Sequence, residues 1–197
     1  MRTLVSPYFT ARQLSRALGT VVVLGLVTAA VGSRRIPALP PGFGQEYVPV
    51  ISLALMPVIV GVTCTTLLES PARTLERTSC RGLAAHRSLY ALIICGLAIM
   101  LLLGAATLPE EKPYLLVATH FAAGTGLSLL ITAWLSDTFA WLLVPTYALL
   151  SLMVWQAADA WRPILVFGPY PTQWSVAVCC ALGALGVATH VTRRPRE

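Results

Sequence analysis

The chain has 197 residues, 56% of them apolar and only 11% charged, with a formal net charge of +6 and a mean hydropathy of +0.74. These values exclude a water-soluble globular domain, and six spans of roughly 20 residues would consume nearly the whole chain, leaving no room for a soluble catalytic domain. The basic residues, all arginine except Lys112, lie between apolar runs or at the termini, a pattern that sets membrane topology rather than one that binds nucleic acid.

Before the first apolar run, Ser6-Pro7-Tyr8-Phe9-Thr10-Ala11-Arg12-Gln13-Leu14 is a mixed stretch suited to an amphipathic helix lying in the inner interface, with a disordered tail as the alternative. The first apolar run follows Arg2, Arg12 and Arg16 as a signal peptide would. It is long enough to span, however, and leads into Ser33-Arg34-Arg35 with no convincing small-x-small cleavage site, so it reads as a retained span. Spans are expected at about 15–32, 48–69, 90–108, 115–135, 140–158 and 175–192, all helical, because a segment crossing lipid must satisfy its own backbone. The fold class is thus all-α, a polytopic membrane protein with six transmembrane helices in one transmembrane domain, 1–197.

Between spans 1 and 2, residues 33–47 are rich in proline and glycine and predict an irregular loop. Between spans 2 and 3, Glu69-Ser-Pro-Ala-Arg-Thr-Leu-Glu-Arg-Thr-Ser-Cys-Arg81 is short and charged. Ser70 is a good N-cap and Pro71 suits the first helical position, so an amphipathic helix is predicted over 71–85. Glu69 with Arg73, and Arg73 with Glu76, stand four and three apart, each pair stabilising a helix by roughly 0.2–0.5 kcal/mol. Residues 109–114 form a tight acidic turn with Glu110 and Glu111, and Ser136-Asp137-Thr138 a second turn between spans 4 and 5. The last connection carries Trp161, Pro163, Ile164, Leu165, Val166 and Phe167 ahead of Gly168-Pro169, too apolar for a solvated loop. It predicts a short helix dipping back toward the membrane and broken at Gly168-Pro169, or an aromatic loop on the headgroups.

An inside N-terminus places Arg2, Arg12, Arg16, Arg73, Arg77, Arg81, Arg87, Arg193, Arg194 and Arg196 in the cytoplasm, leaving Arg34, Arg35, Lys112 and Arg162 outside. Both termini and the 71–85 helix are therefore expected to be cytoplasmic. Trp134 and Trp141 then fall at the inner face, and Trp155, Trp161 and Trp174 at the outer face, as interfacial rings should.

Polar groups inside spans are the functional candidates: Thr63, Cys64, Thr65 and Thr66 in span 2; Thr119, His120, Thr125 and Ser128 in span 4; Thr189 and His190 in span 6. Thr63, Thr66, His120 and Ser128 are taken as possible pathway-lining residues, against the plainer reading that mid-helix hydroxyls bond their own preceding carbonyls. His120 lies a turn or two below the outer surface and is expected to be satisfied or water-facing. Ser128 lacks the Gly-x-Ser-Gly context of rhomboid proteases and has no orienting acid, so no catalytic residue is assigned. The three histidines sit on different segments and the cysteines lack metal spacing, so no metal is expected and the cysteines read as inert, reduced thiols. Gly124, Gly126, Gly183 and Gly186 allow close helix approach.

Six spans, an interfacial N-terminal stretch, a cytoplasmic helix between spans 2 and 3 and an apolar outer segment between spans 5 and 6 together resemble the permease subunits of type-2 ATP-binding-cassette exporters. The Glu69–Thr78 stretch is similar to the corresponding loop of small actinobacterial permease-like membrane proteins. The resemblance implies a coupling helix seated in a cleft of a cytosolic ATP-binding-cassette ATPase, with Glu69, Arg73, Glu76, Arg77 and Arg81 making that contact. It also implies a second permease copy or homologue, and a multi-pass place in the bacterial cytoplasmic membrane. The chain departs from many members in being short, with small outer loops. It contains no Gly-x-x-x-x-Gly-Lys-[Ser/Thr] phosphate loop, so it is expected to bind no cofactor itself, ATP and Mg residing on the partner. The reading is a non-enzymatic transport subunit moving a hydrophobic or amphipathic substrate; the alternative is a non-transporting accessory or scaffold that recruits a cytosolic partner through the same loop.

Overall fold

A computed structural model describes residues 14–32, 51–68, 84–109, 112–154, 166–168 and 171–192. The N-terminal stretch, the 33–47 loop, the predicted 71–83 part of the loop helix with Glu69, Arg73, Glu76, Arg77 and Arg81, and the C-terminal arginines lie outside the described residues. Among the described residues the secondary structure is all helical: α1 (Leu14–Gly32), α2 (Ile51–Leu68), α3 (Ala84–Ala105), α4 (Tyr114–Trp134), α5 (Asp137–Val154) and α6 (Gln173–Thr192).

Each helix overlaps a predicted span, with shifts of a few residues at several ends. α3 starts at Ala84 rather than near 90, so Ala84 and Ala85, assigned from the sequence to the end of the loop helix, belong to α3. The turn after α4 is shorter than expected: Leu135 and Ser136 make it, and Asp137 already opens α5, where its carboxylate suits the positive helix terminus.

α1, α3, α4 and α6 are long and apolar enough to cross a membrane, while α2 and α5 carry shorter apolar stretches, Leu53–Leu68 and Asp137–Leu152. The outward surfaces are apolar as well, with Val23, Leu26, Leu92, Met100, Leu142, Leu150, Leu185 and Val187 exposed. A helix that shows Leu and Val outward finds its solvent in lipid, so the chain is a membrane-associated helical protein. Trp134, Trp141 and Trp174 are likewise exposed near helix ends.

α4 is the hub. Of its span 67% is buried, against 22% for α1, 33% for α3 and 17% for α6, and it packs on α2, α3, α5 and α6. α2 runs beside it and touches α1, α3 and α5 in addition. The apolar interior falls into two clusters that share α2 and α4. One joins Ala17 and Val21 to Val60, Cys64, Tyr90, Ile94, Leu102, Val117 and Phe121. The other joins Val58, Val62 and Ala123 to Val144, Ala148, Phe167 and Cys179.

The α2–α4 and α4–α6 seams are made by glycine. A Cβ at Gly61 would come 2.8 Å from the Thr125 nitrogen, and one at Gly124 2.9 Å from the Val58 Cα. On the other side of α4, a Cβ at Gly186 would lie 2.6 Å from the Gly126 carbonyl oxygen, and one at Gly126 would overlap the Leu182 carbonyl. The small residues singled out in the sequence thus bring backbones together within one chain, as expected where lipid removes the hydrophobic drive for helix association. The pairings Ala122 with Gly183 and Gly126 with Gly186 also show α4 and α6 running parallel.

Candidate functional site

The polar side chains of α4 divide by how they meet their hydrogen-bonding needs. Thr119 donates to the carbonyls of Leu115 and Leu116 at 2.8 and 3.0 Å, and Thr132 to that of Leu129 at 3.1 Å. On α2, Thr63, Thr65 and Thr66 donate to the carbonyls of Ile59, Val62 and Thr63 at 2.9, 2.6 and 2.8 Å. These hydroxyls follow the local back-bonding expected of threonine in a helix. Thr125 Oγ1 and Ser128 Oγ on α4, and Ser151 Oγ on α5, are buried with no partner among the described residues.

His120 is different again. It is 2% exposed, so it faces neither water nor lipid, contrary to the water-facing alternative. Its Nδ1 lies 2.9 Å from the Leu116 carbonyl one turn back. A carbonyl can only accept, so Nδ1 carries the proton and Nε2 offers a lone pair. That lone pair has no partner among the described residues. Because Nδ1 is held against its own helix, Nε2 sits on the edge of the ring turned away from it.

The cover over His120 comes from the connection between α5 and α6. Phe167 is fully buried, its ring 5.4 Å from that of His120 and tilted 52°, and 5.6 Å from that of Tyr147 in an edge-on arrangement. Such spacings suit tilted aromatic pairs. Val166 makes the insertion tolerable: its N–H donates to the Tyr147 hydroxyl at 3.4 Å, and its carbonyl receives the Cys179 thiol at 3.9 Å. Irregular backbone at membrane depth survives only where protein groups satisfy it. From Tyr114 to His120, and from Gln173 to Cys179, is roughly 9 Å at 1.5 Å per residue, so Phe167 lies well inside the ends of α4 and α6. Residues 166–168 of the apolar connection between α5 and α6 therefore enter the bundle, as a bend rather than as helix.

The four pathway candidates are not gathered at one point. Ser128 follows His120 on the same helix by roughly 12 Å, too far for a Ser–His pair. Gly61 sits against Thr125, so Thr63 and Thr66, further along α2, fall toward the Ser128 level, and His120 stands apart at the other end of α4. What joins His120 instead is Phe167 and Tyr147, with Ser151 one turn beyond Tyr147 on the same face of α5. The Leu135–Ser136 turn lies equally far along the chain from His120 and from Ser151, which puts those two at one level. The sequence signals for these partners were a tyrosine and a serine four apart within an apolar span, and a phenylalanine just before Gly168-Pro169.

Among the described residues no three His, Cys, Asp or Glu side chains gather as metal ligands. One acceptor edge beside two aromatic rings and aliphatic walls suits recognition of a ligand. Comparison with protein-family models, with curated proteins and with solved structures finds no match to the chain.

Proposed function

We propose that the chain is the transmembrane permease subunit of an ATP-driven exporter, a multi-pass protein of the bacterial cytoplasmic membrane with six crossings and cytoplasmic termini. It pairs with a second permease copy or homologue and is powered by a separate ATP-binding-cassette ATPase, which supplies ATP and Mg. The observation that carries this reading is the inserted segment at Val166–Gly168, buried against α4, α5 and α6. An apolar outer segment at this point of the chain is one of the features on which the exporter resemblance rests.

Coupling is assigned to the predicted helix after α2, through Glu69, Arg73, Glu76, Arg77 and Arg81. It lies between α2 and α3, and α2 packs on α4, so a displacement at the loop has a direct route to the hub helix. Closure of the ATPase dimer on ATP would move α2 and α3, alternating access to a hydrophobic or amphipathic substrate. Thr63, Thr66, His120 and Ser128 remain the proposed lining.

The test is to co-purify the chain with its ATPase and replace Arg73, Glu76 and Arg77 together by alanine. Loss of the complex and of stimulated ATP turnover is expected; survival of both overturns the coupling assignment. If the intact pair in liposomes moves no substrate on ATP addition, the chain is an accessory that recruits the ATPase without forming a pathway.

A further inference from the structure

We propose that the slot filled by the Phe167 ring is a binding site for a small aromatic ligand that carries a hydrogen-bond donor, such as a phenol or an indole, with His120 Nε2 as its acceptor. The proposal rests on the transport reading only for what the binding serves.

The slot is shaped for a ring. His120 and Tyr147 stand 5.4 and 5.6 Å from the Phe167 ring, centre to centre, and Val58, Val62, Ala123 and Val144 belong to the same packed cluster. Its chemistry does not match its present occupant, however. Nε2 is an acceptor sealed from solvent with no donor among the described residues, and a phenyl ring has no donor to offer. A phenolic O–H or an indole N–H reproduces the ring contacts and adds the missing hydrogen bond. Burial makes that bond selective, because an apolar surround penalises any occupant that leaves the acceptor bare.

Among the described residues the polar tether of the occupant is light: the Val166 N–H reaches the Tyr147 hydroxyl at 3.4 Å, against the roughly 2.9 Å of a strong N–H···O bond, and its carbonyl takes only a thiol, a weak donor. Gly168 follows directly, ahead of Pro169 and Pro171. The ring in its slot is therefore the main anchor of the described segment, and a ligand that fills the slot better displaces it. The slot lies roughly 9 Å in from the N-terminal ends of α4 and α6, within reach of the side from which the segment enters.

The experiment uses the chain alone in detergent, without an ATPase, and titrates phenol and toluene, which match in shape and differ in the donor. Phe167→Ala empties the slot. Phenol should bind this variant about tenfold more tightly than toluene, the preference expected of one hydrogen bond to a buried acceptor. Adding His120→Leu should erase the preference while toluene still binds, which also separates the site from partition into detergent. The unaltered chain should bind phenol saturably but more weakly than Phe167→Ala, since the ring must leave first. Equal affinities for phenol and toluene, a preference that survives His120→Leu, or no binding to the unaltered chain each overturn the proposal. If Phe167→Ala does not fold, Phe167→Leu opens part of the slot, and phenol should then raise its melting temperature more than toluene does; equal effects overturn the proposal there too. Failure here leaves the coupling experiment standing, and failure of coupling leaves this binding measurable.

Discussion

Gly126 has no room for a methyl group: a Cβ there would overlap the backbone of Leu182 and Gly183 on α6. Gly126→Ala should therefore force α4 and α6 apart and cost about 1–3 kcal/mol, as overpacking of a tight core does. Gly96→Ala on α3 meets nothing within 4 Å and should be neutral or stabilising by up to about 1 kcal/mol through helix propensity. Denaturant titration of both variants in detergent checks this, and equal effects would show that the seam is not tight. The glycines were legible as contact points in the sequence, but the helix each one meets was not, because small-residue spacing marks a face and not the neighbour opposite it. His120 makes the same point about burial. It stands roughly 9 Å into α4, but its cover comes from Phe167, supplied by a distant connection, and only tertiary structure joins the two.

At the scale of elements, the six helices stand where long apolar runs place them, since chain in lipid has little alternative to a helix. The ends drift where polar residues continue a helix beyond the apolar run, as at His86–Ser88 before the apolar part of α3. Pairing between helices was not readable, and one pair offers a direct check. Cys64 on α2 and Cys95 on α3 lie in the same packed apolar cluster. In a chain with Cys80, Cys179 and Cys180 replaced by serine, iodine should oxidise the two thiols to a disulfide, itself reduced to iodide with release of two protons. Trypsin cleavage at Arg73, Arg77 or Arg81 should then leave two fragments that stay joined on a gel until reductant is added. Fragments that separate without reductant would show that α2 and α3 pair differently. The connection into α6 was legible in part: its apolar composition left a dipping helix and an aromatic loop on the headgroups both open, and Phe167 is buried; the local form is a bend because the polar groups of Val166 are met by Tyr147 and Cys179, not by a helical neighbour.

For the whole molecule, arginine placement predicts that both ends face the cytoplasm. A fluorescent protein that folds only in the cytoplasm should be bright when fused after Glu197, and alkaline phosphatase fused there should be inactive; the opposite pair of readings inverts the topology. A substrate or a partner was not legible, because either would depend on surfaces beyond one chain's apolar runs, whereas run length is a property of the single chain. The glycine seam has a mechanical consequence. Backbones that touch without intervening side chains, as at Gly126 with Gly186, leave nothing compressible between α4 and α6, so the two should move as one stiff beam. On the other side of the bundle, α2 and α5 each hold an interior proline, Pro57 and Pro145. Neither proline can bond the carbonyl four residues back, on Leu53 and Trp141, and helices bend most readily at such gaps. Load entering from the loop after α2 would then be taken up as bending in α2 and α5, with α4 and α6 as the rigid member they flex against.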